Sequence, residues 1–133
     1  MSKKSTSAPA KIEIVKNEGL DLARQCVWAA QEKKALDPII LDLRNISTIT
    51  DYLVICSAQS EPQIKAIANG VEQALKASME RHPLAVDGFP TSQWIVIDYG
   101  DVMFHIFHEQ KRGVYALEDL WSDAPQVSTL QPK

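Results

Sequence analysis

Hydrophobic and polar residues alternate along the chain with two different periods, one typical of helices and one of strands. Over residues 19–35, apolar side chains recur every three or four positions, which predicts a one-sided helix that is stopped by Asp37-Pro38. Residues 39–43 alternate as a short strand should. Residues 51–57 contain four consecutive apolar positions, so they are predicted to form a central strand covered on both faces.

The clearest helix signal begins at Ser60. The sequence Ser-Glu-Pro-Gln supplies an N-cap hydroxyl, an acidic first turn and a glutamine at the capping-box position, and the helix should run to His82-Pro83. Residues 94–108, WIVIDYGDVMFHIFH, predict two strands joined by a tight Tyr99-Gly100 loop, and residues 111–121 predict a last helix. This order predicts an α/β (α+β) fold, in which helices cover a small mixed β-sheet.

The predicted hairpin separates chemically different residues onto its two faces. With Tyr99-Gly100 as the loop, Asp98 opposes Asp101 and Trp94 opposes His105 on one face, while the other face is apolar. A tryptophan beside acidic groups is typical of a protein-binding surface, although a helix that buries Trp94 is the alternative. For Tyr99, at the predicted tip, exposure is favoured over burial.

Composition narrows the class of partner. The chain has 133 residues, which fits one domain, and its 14 Lys+Arg against 17 Asp+Glu give a formal net charge of −3. That balance disfavours indiscriminate binding to nucleic acid and favours a basic protein partner. The apolar runs fall short of the roughly 20 residues of a membrane helix, so we expect a soluble, cytoplasmic protein. The predicted domain spans residues 19–122, between flexible tails over residues 1–18 and 123–133.

Candidates for catalytic chemistry are few. Asp98 and Asp101 are the one carboxylate pair that the predicted hairpin places on one face, but two carboxylates are too few for a protein-only cation site, and Asp beside Gly is common turn chemistry. His105 and His108 point to opposite faces of a strand. The two cysteines lack redox or zinc spacing and are expected to be reduced core thiols. No phosphate-loop, zinc-protease or nucleophile-elbow motif occurs, so neither a cofactor nor a metal is expected.

Three strings in the sequence carry a family resemblance: LDLRNISTITDYLVICSAQSEPQIKAIA, WIVIDYGDVMFHIFH and VYALEDLWSDAP. In this order and spacing they resemble the ribosomal silencing factor family, RsfS, also called the Iojap family. The resemblance spans about residues 20–125. It implies a fold similar to the nucleotidyltransferase superfamily, without the catalytic residues of that superfamily.

The resemblance also implies a function and a contact surface. Family members are non-enzymatic; they bind ribosomal protein L-fourteen on the large ribosomal subunit, block association with the small subunit, and so repress translation under nutrient limitation or aid large-subunit biogenesis. No direct contact with nucleic acid or membrane is implied, and homodimers are implied by analogy. The family contact surface corresponds here to Trp94, Asp98, Tyr99, Gly100 and Asp101 of the hairpin, and to Asp51 and Tyr52. The alternative is a nucleotidyltransferase-like, magnesium-dependent enzyme that uses Asp98 and Asp101.

Overall fold

A computed structural model describes residues 17–88 and 93–130, so nearly all of the predicted N-terminal tail lies outside the described residues. Within these ranges the chain forms four helices and six strands. In chain order they are α1 (Glu18–Glu32), β1 (Leu36–Asp42), β2 (Tyr52–Ala58), α2 (Glu61–Met79), β3 (Ala85–Gly88), β4 (Trp94–Asp98), β5 (Val102–His108), α3 (Glu109–Tyr115), α4 (Leu117–Leu120) and β6 (Gln126–Val127).

The strands form one mixed sheet in the order β3-β4-β5-β2-β1-β6. β2 and β5 are parallel, and every other neighbouring pair in this sheet is antiparallel. All seven residues of β2 are buried, which confirms the prediction of a central strand covered on both faces. The chain leaves β2 through α2, forms the antiparallel pair β3–β4, and returns to the sheet centre as β5, so the parallel partner of β2 is β5 rather than β4.

Helices α1 and α2 pack side by side on one face of the sheet. Ser60 caps α2 as predicted, since its hydroxyl accepts a hydrogen bond from the Gln63 N–H at 3.2 Å. Asn17 caps α1 in the same way, through the Leu20 N–H. Alternate strand residues complete the core beneath these helices, including Ile40 and Phe104.

The predicted end of the first helix is wrong. Helix α1 ends at Glu32, and Asp37 and Pro38 belong to β1, at a register shift between Leu36 and Ile39. Proline lacks an N–H and cannot donate to a neighbouring strand. A register shift tolerates it, because one inter-strand hydrogen bond is already missing there. Arg112 of α3 fixes the irregular segment, because its Nη1 donates to the Asp37 carbonyl at 2.6 Å.

The C-terminal segment also differs from the prediction. In place of one helix over residues 111–121, α3 and α4 are separated at Ala116, which has a positive φ of 49°. The expected tail after residue 122 contributes to the fold: Ala124 is buried, and Val127 of β6 pairs with Ile40 of β1. The Trp28 indole donates to the Thr129 carbonyl at 3.2 Å, which holds this segment against α1. The short strand β3 lies between the predicted helix end at His82-Pro83 and the predicted strand from Trp94, in a segment for which the pattern predicted neither helix nor strand.

The sheet face opposite α1 and α2 is only partly covered. Leu117, Trp121 and Ala124, from α4 and the segment that follows it, pack on its β1 and β2 side. On its β4 and β5 side, Trp94, Asp98 and Met103 are partly exposed, whereas Val96, His105 and Phe107 are buried. We call this part the open face; it consists of Trp94, Val96 and Asp98 of β4 with Met103, His105 and Phe107 of β5.

Candidate protein-binding surface

The β4–β5 hairpin turns one residue later than predicted. Asp98 pairs with Met103 and Trp94 with Phe107, and the Tyr99 N–H donates to the Val102 carbonyl at 2.8 Å. The loop is therefore Gly100-Asp101, and the predicted oppositions of Asp98 with Asp101 and of Trp94 with His105 are wrong. Because the pairing differs by two positions, each strand residue keeps its predicted face.

The residues of the turn explain its geometry. Gly100, the first of the two loop residues, has a φ of 92°, as type II′ hairpin turns require at this position. The Asp98 carboxylate accepts a hydrogen bond from the Gly100 N–H at 2.8 Å. Asp98 is thus a turn-forming residue, and its half-buried carboxylate is committed to the backbone of the loop.

Asp101 has different partners from Asp98. Its carboxylate receives the Arg81 guanidinium at 2.9 Å, and this hydrogen bond raises the pKa of Arg81. Its carbonyl accepts the N–H groups of Asp51 and Tyr52, each at 3.1 Å, and so ties the turn to the start of β2. Within residues 17–88 and 93–130, no group of three or more acidic, histidine or cysteine side chains is arranged to hold a metal ion.

Two residues of the predicted contact surface are buried. Tyr52 is 1% exposed and Tyr99 is 3% exposed, so the expected exposure of Tyr99 is wrong. The Tyr52 hydroxyl accepts a hydrogen bond from the Asn17 amide at 2.7 Å, and burial raises the pKa of Tyr99. Alternation provides the signal that finds Tyr99, because it continues the series Ile95 and Ile97 toward the helix-covered face.

The other end of β4 carries an aromatic cluster, which we define as Trp94, His105 and Phe107. The Trp94 indole N–H donates to His105 Nδ1 at 3.0 Å, and the indole stacks on Phe107 with ring centroids 4.8 Å apart. Trp94 is partly exposed, whereas His105 is 9% exposed. Burial lowers the pKa of His105 to about 4, so the imidazole is neutral near pH 7 and Nδ1 is free to accept.

The predicted site residues therefore form two regions. The acidic turn, defined as Asp51, Asp98, Gly100 and Asp101, lies at one end of β4, and the aromatic cluster lies at the other, four residues or about 13 Å along the strand. Val96 and Met103 of the open face lie between the two regions. The structure brings Asp51 to the hairpin through the hydrogen bond of its N–H to the Asp101 carbonyl, but it separates Trp94 from the acidic residues.

Exposed apolar residues beside the acidic turn were not predicted. Leu84 is 75% exposed, and its N–H donates to the Asp98 carbonyl at 2.7 Å. Ile49 is 72% exposed and lies two residues before Asp51. The signal was present in the sequence, since two isoleucines occur in residues 44–50, which otherwise form a polar loop. Other large apolar side chains of the described chain, such as Leu120 and Leu130, are similarly exposed, so Leu84 and Ile49 add apolar area near the turn but do not by themselves mark an interface.

Ion pairs neutralise only part of the negative charge of the acidic turn. Ion pairs among the described residues engage Asp101, through Arg81, but neither Asp51 nor Asp98. Asp51 is exposed. The turn thus presents acidic charge next to apolar side chains, a combination that suits a basic protein surface.

The two cysteines of the chain lie in the core. Cys26 and Cys56 are free and buried, as predicted for core thiols. Burial raises the pKa of both thiols, that of Cys56 to about 12, which opposes nucleophilic chemistry. None of the helices in residues 17–88 and 93–130 is long and apolar enough to cross a membrane.

Comparison with known proteins decides the family. The family model described as "Ribosomal silencing factor during starvation", RsfS, matches residues 16–133. The chain belongs to the RsfS family. Ribosomal silencing factor RsfS from Halalkalibacterium halodurans is 39% identical over 108 residues, which cover 80% of this chain and 91% of that protein. The factor from Bacillus subtilis is also 39% identical, over 98 residues that cover 73% of this chain and 81% of that protein.

More distant relatives and solved structures agree with this membership. The chloroplastic protein Iojap of Zea mays is 31% identical over 110 residues, which cover 83% of this chain and 47% of that protein. A crystal structure from Bacillus halodurans superposes with a TM-score of 0.69 at 34% identity, over 85% of this chain and 99% of that one. A second, from Chromobacterium violaceum, has a TM-score of 0.73 at 24% identity, over 86% and 89%, and shows the shared fold. The resemblance and the mixed α/β fold class are both confirmed.

Proposed function

We propose that this RsfS family member is a non-enzymatic factor that binds ribosomal protein L-fourteen on the large ribosomal subunit. In this position it blocks association with the small subunit and represses translation in the cytoplasm. The observation that carries the proposal is the β4–β5 hairpin, which has the partly exposed Trp94 at one end and Asp98, Gly100 and Asp101 at the other. The names of the bacterial relatives, ribosomal silencing factors, support a ribosomal partner.

The chemistry of this surface fits a basic, folded protein. Acidic groups such as Asp51 speed encounter with a positively charged surface, whereas a large aromatic side chain such as Trp94 slows dissociation. Leu84 and Ile49 add apolar area beside the acidic turn. A chain of 133 residues is sufficient for the task, because occupying a surface that the small subunit needs shifts subunit association by mass action.

The proposed contact residues follow from exposure. Trp94, Asp51, Asp98, Gly100 and Asp101 remain candidates for direct contact, since each is at least partly exposed. The rings of Tyr52 and Tyr99 lie in the core and would support the surface from beneath. The turn also disfavours the magnesium-dependent alternative, because the Asp98 carboxylate accepts the Gly100 N–H and the Asp101 carboxylate pairs with Arg81.

Co-sedimentation with purified ribosomal subunits tests the proposal. We expect the protein to pellet with large subunits and not with small ones, and the double variant Trp94→Ala, Asp51→Lys to lose this binding. Asp21→Lys is the matched control, because Asp21 is exposed on α1, which packs on the opposite face of the sheet. Equal binding to both subunits, or full binding by the double variant, would contradict the proposal. Sedimentation velocity of the free protein tests separately whether it forms the homodimer that the resemblance implies.

A further inference from the structure

His105 is unusual among the residues of the open face. It is a buried polar side chain, 9% exposed, on a strand whose neighbours on the same face are Met103 and Phe107. If filling this position were the sole requirement, an apolar residue of similar volume would satisfy it. Among the residues that the structure describes, its imidazole takes part in one hydrogen bond, which it accepts from the Trp94 indole at 3.0 Å.

We propose that His105 is a positioning residue, which holds the Trp94 indole in the orientation that meets the partner. The inference rests on the proposed function, in which Trp94 contacts the ribosomal protein. His105 itself is too buried to supply much contact area, so its effect on binding passes through Trp94.

Two contacts from β5 act on the same indole. Phe107, directly across the ladder from Trp94, stacks on it with an interplanar angle of 28°. His105, on the diagonal, accepts its N–H and lies with its ring centroid 5.7 Å from that of the indole. Stacking restricts the plane of the ring, and the hydrogen bond selects which edge of the ring faces His105. In this orientation Trp94 remains partly exposed.

An oriented side chain binds better than a mobile one, because less rotamer freedom is lost on association. The expected advantage is modest. Releasing one large side chain from its bound orientation weakens affinity by about threefold to tenfold. This is smaller than the loss expected when the whole anchor is removed, as in Trp94→Ala.

The chain offers variants that separate the hydrogen bond from packing. His105→Leu fills the position with an apolar side chain of similar size but removes the Nδ1 acceptor. His105→Asn places an amide oxygen near the position of Nδ1, so it restores the acceptor with less volume. His82→Leu is the matched control, since His82 is exposed in the loop after α2.

The measurement combines indole NMR with affinity for purified large subunits. The protein has three tryptophans, and the Trp28 indole, bound to the Thr129 carbonyl, is an internal reference. We expect His105→Leu to move the Trp94 indole N–H resonance, leave that of Trp28 in place, and weaken binding by about threefold to tenfold. His105→Asn should recover most of the wild-type shift and affinity, and His82→Leu should change neither.

Each result bears on the proposal. If His105→Leu leaves the Trp94 resonance unchanged, the hydrogen bond does not orient the indole and the proposal is overturned. If the resonance moves while affinity stays constant, or if His105→Asn binds no better than His105→Leu, orientation has no role in binding and the proposal is likewise overturned. Failure of the wild-type protein to bind large subunits is a different outcome, which overturns the proposed function and this inference together.

Discussion

Replacing Gly100 by alanine should destabilise the protein, because Gly100 has a φ of 92° in the hairpin turn. An L-residue with a side chain pays about 1–2 kcal/mol for a left-handed backbone conformation. The added Cβ would also lie 3.2 Å from Cδ1 of Leu84. Leu84 is 75% exposed and can rotate away, so backbone strain dominates the cost.

The expected change in the free energy of unfolding is therefore about 1–2 kcal/mol, which for a domain of this size lowers the melting temperature by about 4–8 °C. Thermal and urea unfolding of the purified protein both measure it. Gly113→Ala is the matched control: Gly113 lies in α3, has no positive φ, and its added Cβ would meet nothing within 4 Å. Alanine there should stabilise by about 0.5–1 kcal/mol.

The two substitutions are thus expected to have opposite signs. A neutral or stabilising effect of Gly100→Ala would refute the turn geometry, and with it the placement of Asp98 and Asp101. Destabilisation by both alanines to the same extent would show that the effect is unrelated to φ.

Three further predictions concern burial. Burial lowers the pKa of His105 from 6.5 to about 4, so the unfolded chain takes up a proton at a higher pH than the folded one. Stability that is present above pH 6.5 is therefore lost as the pH falls toward 4, by about 3 kcal/mol in all. Urea unfolding at pH 7 and 4.5 should show this loss, and His105→Leu should remove the part that is due to His105. Cys26 and Cys56 should resist a thiol reagent in the native protein and react once it is unfolded, and fast labelling without denaturant would contradict their burial. Tyr52→Phe should lower stability by about 1 kcal/mol without changing affinity for large subunits, whereas Asp51→Lys should weaken that affinity without changing stability.

Capping and hydrophobic patterning were sufficient to predict the best-defined helix and strand. The cap at Ser60 and the apolar run of β2 predicted α2 and the sheet centre, because capping and full burial leave direct marks in the sequence. The face of each hairpin residue was also predictable, since alternation survives an error of two positions in pairing. The exact turn was not, because both Tyr99-Gly100 and Gly100-Asp101 are compatible with a glycine in a two-residue loop.

Long-range contacts account for what the sequence left undetermined. Val127 forms a strand only because Ile40 of β1 offers an open edge, and a two-residue strand carries no periodic signal. At the register shift that contains Pro38, the Asp37 carbonyl accepts a hydrogen bond from Arg112, which is 75 residues away in the sequence. For the candidate site, motif resemblance predicted the hairpin positions but not their exposure, which the packing of α1 and α2 determines for Tyr52 and Tyr99.

A subunit-joining assay tests the central claim most directly. Large subunits are incubated with the protein before small subunits are added, and joined ribosomes are then quantified by gradient sedimentation. The account predicts fewer joined ribosomes with the wild-type protein and with Asp21→Lys, and normal joining with the Trp94→Ala, Asp51→Lys double variant. Normal joining in the presence of saturating wild-type protein, or equal inhibition by the double variant, would contradict it.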